Sequence, residues 1–480
     1  MVFSSVPFLF IFLPIVLILY SCIRNIKAQN ALLILASLFF YGYGEPVFVL
    51  AMIASVFVNW VLAVFIADFE KNKKIFLVIA VIANLAFLGV FKYAGFAVKV
   101  IDQVTGMNIP VPEITLPIGI SFFTFQVLSY VIDVYRDPSM VQRRFTRVLL
   151  YVSFFPQLIA GPIVKYHDIY KYLDSRHQTV AEVAGGIRRF ILGLSKKLFL
   201  ANTMGLVADK VFALPKSDLS APAAWLGAVA YLFQIFFDFS GYSDMAIGLG
   251  AMFGFPFLEN FDHPYIATSI KDFWRRWHIS LSTWFRDYLY IPLGGNRKGK
   301  VRTEVNKLIV FFFTGLWHGA SWNFVLWGMI HGISLVAEDC VKYFRERNGK
   351  VTRRKGPFSR FLGWFYTIII VTVAFVFFRA DTLSDGGVMI AAMFAGGSGN
   401  LTTYNTLHQI LSPYVITMMA ASVAACFPIL KSIDSWALNA GEKQTRVVRG
   451  LSYVLSLILL AGCVLNIANA SYNPFIYFRF

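Results

Sequence analysis

Apolar residues fall in long blocks along this chain, separated by short polar connections. A bilayer-spanning helix needs about 20 mostly apolar residues. Stretches near 5–21, 30–43, 47–67, 75–98, 117–135, 147–164, 190–213, 222–239, 242–257, 304–318, 321–341, 359–379, 412–430 and 450–468 meet that, some only when their polar ends are included. Several are too short or too polar to cross alone: Pro156 and Pro162 interrupt one, and Arg188, Arg189, Lys196 and Lys197 line another. The pattern predicts an all-α polytopic membrane protein with about eleven full spans, the remaining helices being re-entrant or interfacial. Irregular backbone at membrane depth survives only where protein buries it or it lines a watery cavity. Broken spans therefore point to a site.

Basic residues alternate between connections. Arg24 and Lys27 follow the first block, Gly44-Glu45-Pro46 the second, and Lys71, Lys73 and Lys74 the third. The connection 102–116 has no Lys or Arg, whereas Arg136, Arg143, Arg144 and Arg147 follow the fifth block. Read from the other end, 342–360 is densely basic, 381–413 has no Lys or Arg, and 431–449 is basic again. With positive loops inside, both termini are expected outside.

Composition changes the picture in two ways. With 58% hydrophobic and 14% charged residues, a conventional water-soluble protein is excluded, since soluble domains average roughly 25% charged. The formal net charge of +17 would suggest nucleic acid in a soluble protein; here cytoplasmic loops account for it, and no nucleic-acid motif accompanies it. Lipid is the expected outside solvent. Met1–Tyr20 has neither a basic leader nor a small-residue cleavage pattern and reads as a retained first span. No linker or fixed-period repeat divides the chain, so 1–480 is expected to be one integrated membrane domain, with 238–323 as its chemical core.

That middle region holds acids, arginines and histidines between apolar stretches. Asp238 and Asp244 sit in Phe236-Phe237-Asp238-Phe239-Ser240-Gly241-Tyr242-Ser243-Asp244. A charge at bilayer depth is costly unless paired or solvated, so these acids either pair with arginine or shape a polar chamber for substrate. Next, Asp272 to Tyr288 places Trp274, Trp277, His278 and Trp284 at spacings that form one helical face, with Arg275, Arg276 and Arg286 projecting elsewhere. This reads as an interfacial helix anchored by indoles, its arginines meeting lipid phosphate; His278 is left unexplained by anchoring. Finally, Thr314 to Asn323 carries Trp317 and His318 between small residues that permit close backbone approach. An imidazole at this depth is either a catalytic or proton-relay group, suited to transfer near neutral pH, or a helix-packing histidine bonded to a carbonyl.

The remaining signals are weaker. His331 lies thirteen residues after His318 on the next apolar stretch, His263 precedes Pro264, and His167, His177 and His408 fall in polar connections. No compact histidine spacing suggests a metal, and neither a G-x-S-x-G element nor a P-loop occurs. Cys22, Cys340, Cys426 and Cys463 show no C-x-x-C spacing, which gives no support to a disulfide framework or a zinc site.

Taken together and in this order, Met1-Val2-Phe3-Ser4-Ser5, the Asp238–Asp244 segment, the tryptophan-rich helix and Leu316-Trp317-His318-Gly319 resemble the membrane-bound O-acyltransferase (MBOAT) family over nearly the whole chain. Within it, the chain is most similar to bacterial alginate and peptidoglycan O-acetyltransferase membrane subunits. The resemblance implies helices around a central funnel joining the two membrane faces, in the cytoplasmic (inner) membrane of a bacterium. It also implies His318 as the active-site residue, His278 approaching the same centre, and Trp317, Asn323, Asp238, Asp244, Trp274, Arg275 and Arg276 as lining candidates. The donor it implies is a cytoplasmic acyl thioester, acetyl-CoA first among them, with no bound cofactor. The acceptor is an exported polysaccharide such as alginate, peptidoglycan or cellulose, reached through an extracellular or periplasmic esterase-like transferase partner. The tail 470–480 ends Asn473-Pro474-Phe475-Ile476-Tyr477-Phe478-Arg479-Phe480 and is expected to face outward. It reads either as an aromatic anchor or, by resemblance to endings of related acyl-transfer systems, as carrying Tyr477 as a transient acyl acceptor. Two other functional classes fit the spans and the central histidine: a transporter or flippase of an acylated intermediate, and a non-catalytic scaffold for an extracellular transferase. No inverted repeat supports the former.

Overall fold

The computed structural model describes residues 1–348, 356–395, 401–469 and 475. Among them every regular element is helical. Seven helices are long and apolar enough to cross a membrane, or eight if the bent pair Pro413–Ala425 and Ile429–Ala440, inclined at 51°, is one broken span. Phe8–Cys22, Ile26–Gly42 and Leu383–Ala395 are apolar but shorter than a hydrocarbon core of about 30 Å requires. Segment 117–135, expected to be a span, forms the helix Ile120–Arg136, too short to join the long set. The described chain divides into two compact units, Met1–Phe190 with Tyr242–Glu259, and Ile191–Gly241 with Asn260–Phe480.

In the first unit, Asn25 starts the helix Ile26–Gly42 by accepting the N–H groups of Lys27 at 2.8 Å and Ala28 at 3.4 Å. The apolar helices Phe48–Asp68 and Lys73–Leu88 are tied by a buried amide pair: Asn84 Nδ2 donates to Asn59 Oδ1 at 2.6 Å, and Asn59 Nδ2 returns a bond to Asn84 Oδ1 at 3.2 Å. In hydrocarbon such polar pairs supply contact specificity that apolar side chains alone cannot. Phe8, Phe12, Phe40 and Phe155 interlock with centroid separations of 5.3–6.2 Å. Pro156 acts as expected. The helix Phe145–Ser153 stops, a single turn Phe155–Leu158 follows, and residues 159–165 are non-helical yet buried. Tyr151 donates its hydroxyl to Val164 O at 2.8 Å, one example of protein satisfying the irregular backbone that lipid could not.

In the second unit, Lys300–His318 and Trp322–Arg347 form a tight helical hairpin. A Cβ added at Gly328 would collide with Phe311 O and one at Gly315 with Phe324 O, so the backbones touch where those glycines meet. Lys307 reinforces the hairpin by pairing with Glu304 at 2.8 Å and with Asp339 of the second helix. Glu338, also on that helix, accepts the backbone N–H groups of Ile270 at 2.6 Å and Lys271 at 3.2 Å, and Ser269 caps the same helix start. A carboxylate there satisfies orphan donors and meets the positive end of the helix dipole. Around these elements the core packs Phe236, Tyr265, Phe273, Trp277, Trp327 and Phe375. The helix Glu442–Asn469 instead turns Leu451, Val454, Leu457 and Ile458 outward, a surface suited to hydrocarbon.

Candidate active site

The tryptophan-rich segment is not one helix. Ile270–Arg276 ends where Trp277 becomes extended, His278 takes a left-handed backbone (φ 44°, ψ 54°), and Ile279–Phe285 starts afresh. The single aromatic face expected from spacing is thereby replaced by a kink with His278 at its apex. A left-handed non-glycine residue is sparsely populated and persists only where surroundings enforce it. Here Asn260 does so. Its carbonyl accepts Ile279 N–H at 3.0 Å, and Arg276 O accepts Asp262 N–H at 2.9 Å, pinning the backbone on both sides of the kink.

Asn260 also fixes the imidazole. Its side-chain Oδ1 accepts the Ser280 N–H at 3.2 Å and the Ser280 hydroxyl at 2.8 Å, so it is an oxygen with no proton to give. His278 Nδ1 lies 3.2 Å from that oxygen and must be the donor. The lone pair is left on Nε2, which has no hydrogen-bond partner among the described residues. Phe239 packs edge-on to the ring at 4.6 Å and Trp317 at 5.9 Å. Full burial pushes the His278 imidazole down to about 3, so it stays neutral at physiological pH.

His318 is the last residue of Lys300–His318, where the helix leaves through extended Gly319. A side chain at 319 would strike the Phe324 ring, so the chain turns there with no room to spare. The imidazole is 6% exposed and surrounded by Trp317 and Trp327 at 4.9 Å and Phe378 at 5.1 Å. Its centroid is 6.4 Å from that of His278. Two imidazoles from different elements thus meet within an aromatic enclosure, close enough to address the two sides of one small reacting group.

The other sequence candidates separate. Trp317 belongs to the enclosure, and Asn323 stands at the start of Trp322–Arg347, where its Nδ2 donates to Ala380 O at 2.6 Å. Trp274 is buried between Phe311 at 4.9 Å and Trp327 at 5.8 Å. Asp238 is almost wholly buried and pairs with Lys197 at 2.6 Å, a lysine where an arginine was expected. Asp244 lies in the first unit, bound to Arg189 at 2.9 Å, and Arg189 also holds Glu259. Arg275 is exposed, while Arg276 bonds Asp272 at 3.1 Å and Asp262 O at 3.2 Å. Tyr477 lies outside the described residues. Among the described residues no cluster of three or more His, Cys, Asp or Glu is grouped for a metal. Sequence reasoning missed Asn260, eighteen residues before His278 in a loop, and undervalued His331, which packs 5.2 Å from both Trp274 and Trp327.

These features define a helical integral-membrane protein with two buried histidines brought together at its chemical core. The family model for MBOAT, the membrane-bound O-acyltransferase family, matches residues 113–378, and the chain belongs to that family. Over the full length of both chains it is 39% identical to a "Probable alginate O-acetylase AlgI" of Azotobacter vinelandii. It is 32% identical to a peptidoglycan O-acetyltransferase of Helicobacter pylori, covering all of this chain and 98% of the relative. A teichoic acid D-alanyltransferase of Streptococcus thermophilus is 30% identical over 54% of this chain and 68% of its own. The protein is a membrane O-acyltransferase.

Proposed function

We propose that the protein transfers an acetyl group from a cytoplasmic thioester donor, acetyl-CoA, toward the O-acetylation of an exported polysaccharide at the bacterial cytoplasmic membrane. The observation that carries this reading is the meeting of His318 and His278 inside an aromatic enclosure, in a chain related along its whole length to alginate and peptidoglycan O-acetylating proteins.

His318 acts as general base. It takes the proton of an acceptor hydroxyl as that oxygen attacks the thioester carbonyl; the C–S bond then breaks, and the imidazolium returns the proton to the departing thiolate. His278, neutral and too weakly basic to share that duty, bounds the reaction centre on its other side and leaves the single hydroxyl proton to His318. Loop lysines and arginines on the cytoplasmic side attract the donor's phosphates. With both termini outside, the tail 470–480 can bring the Tyr477 hydroxyl to the outer face as a transient acyl carrier for an extracellular or periplasmic esterase-like transferase.

Replacing His318 by Ala and counting O-acetyl groups on the exported polymer tests the base; retained acetylation at normal protein levels refutes it. Tyr477→Phe removes only a hydroxyl, and normal polymer acetylation in that variant sinks the relay while leaving the enzyme assignment intact. Release of CoA from labelled acetyl-CoA by purified protein separates transfer from transport, since a flippase releases none.

A further inference from the structure

His331 takes no part in the chemistry above, yet its setting is unusual. It is fully buried, stacked on Phe273 at 5.9 Å with ring planes 4° apart, and neither ring nitrogen has a hydrogen-bond partner among the described residues. The indole nitrogens of its neighbours Trp274 and Trp327 are likewise buried and unmatched there. Two more exposed indoles of the same unit are matched: Trp225 donates to Met393 O and Trp364 to Tyr265 O, each at 2.9 Å. A buried polar group left unmatched has lost its water without compensation. Three such side chains, on two helices, touch one another.

The arrangement has direction. Trp327 and His331, four residues apart, share one face of Trp322–Arg347, and the His318 ring packs on Trp327. The Trp327 ring thus stands between the two imidazoles in contact, its centroid 4.9 Å from that of His318 and 5.2 Å from that of His331. An acyl-pantetheine thioester presents its polar groups in the same rhythm: the thioester carbonyl and then two amides, successive groups roughly 5 Å apart along an extended chain. Indole N–H groups donate to amide carbonyls, and an imidazole both donates and accepts, as an amide demands. The Trp322–Arg347 helix also runs from the reaction centre toward the basic connection 342–360, the side from which the donor enters in our reading.

We propose that His331, with the indole N–H groups of Trp274 and Trp327, is the amide-reading site for the pantetheine arm of the thioester donor, with His331 taking the amide farther from the sulfur. This rests on the thioester-donor reading. His331 is here a binding residue, distinct from the reacting pair.

Equilibrium binding to the purified full-length protein tests it, with acetyl-CoA, an acetylated phosphopantetheinyl carrier protein and S-acetyl-N-acetylcysteamine in separate arms. The first two carry the same arm and tell which source the protein uses; the third lacks the distal amide. Expected is a five- to twentyfold loss of affinity for the full-arm donor in His331→Phe, partial recovery in His331→Gln, and no change for the truncated donor. Trp274→Phe, which keeps the ring and removes the N–H, lowers full-arm affinity without touching His331, so the site stays testable if His331→Phe does not fold. Equal loss for both donors, or none for either, overturns the amide-reading site while the donor reading stands. A wild-type protein that binds neither full-arm donor overturns both.

Discussion

Two histidine settings, one half-buried in the first unit and one fully buried in the second, show how far surroundings dictate what an imidazole does. In the first unit His167 Nδ1 lies 2.9 Å from Asp133 and Nε2 lies 3.4 Å from Asp168, and hydrogen bonding to Asp133 raises its pKa above the ordinary value. In the second, His278 bonds a neutral amide, is enclosed by rings, and is pushed down to about 3 by burial. A carboxylate holds the proton on; an apolar enclosure expels it. The first histidine is a structural ion-pair partner and the second a neutral acceptor. Nothing in the local spacing of either announces the difference.

The sharpest test of the contrast is loss of function. His318→Ala should lower transfer about 10²–10⁴-fold, the usual range for a general base, whereas His167→Ala should leave turnover within about threefold. Measured rates of CoA release from labelled donor decide it, and a comparable loss in both variants would erase the division of labour.

Next is the hairpin that brings His318 against Trp327. Gly328→Ala forces a methyl group into Phe311 O and should destabilise the protein by about 1–3 kcal/mol, with a lower thermal midpoint and slower transfer. Gly387→Ala is the control: nothing lies within 4 Å, so a neutral or slightly stabilising change, at most about 1 kcal/mol, is expected.

Asn260→Asp attacks the comparison itself by giving His278 the carboxylate that His167 already has. The His278 pKa should climb from about 3 toward or above the ordinary ~6.5, followed by histidine NMR, and the variant should lose activity as the ring becomes charged. An unmoved titration would mean that the amide does not set the protonation of this ring.

Stability against pH separates the two settings by sign. His278 has a folded pKa below its unfolded one, so its contribution is complete above pH ~6.5 and falls as pH drops from there toward 3, by up to about 1.4 kcal/mol per pH unit. His167 has a raised folded pKa, so its contribution is complete below the unfolded value and disappears as pH rises through the folded one. Because its ring is about one-third exposed, that contribution is under about 1 kcal/mol. Asp133→Asn should remove it, visible as a stability difference from wild type at pH 6 that narrows by pH 9.

Much of the molecule was legible in the chain. Hydropathy gave membrane-crossing helices because lipid permits little else, and Pro156 marked a true break because it cannot continue a helix. Trp317-His318 between small residues did mark the enclosed histidine, since glycines 315 and 319 are where neighbouring groups press closest. The kink at His278 was invisible: a glycine there would have advertised a left-handed backbone, whereas a histidine is held in it by Asn260 from a distant loop. Asp238 and Asp244 share one reading in the sequence, pairing with arginine or lining a polar chamber, but six residues at 3.6 per turn put them on different faces of the helix Ala221–Met252. One meets Lys197 and the other Arg189.

Sequence alone thus determined the solvent, the helical class, the acyltransferase family and the histidine to suspect, because these follow from local composition and from motifs in a fixed order. Tertiary structure decided the protonation of His278, the partners of the acids and the packing of His318 and His331 on Trp327. Those depend on which groups lie within a few ångströms across the fold, where burial and hydrogen bonding act and where distance along the chain carries no information.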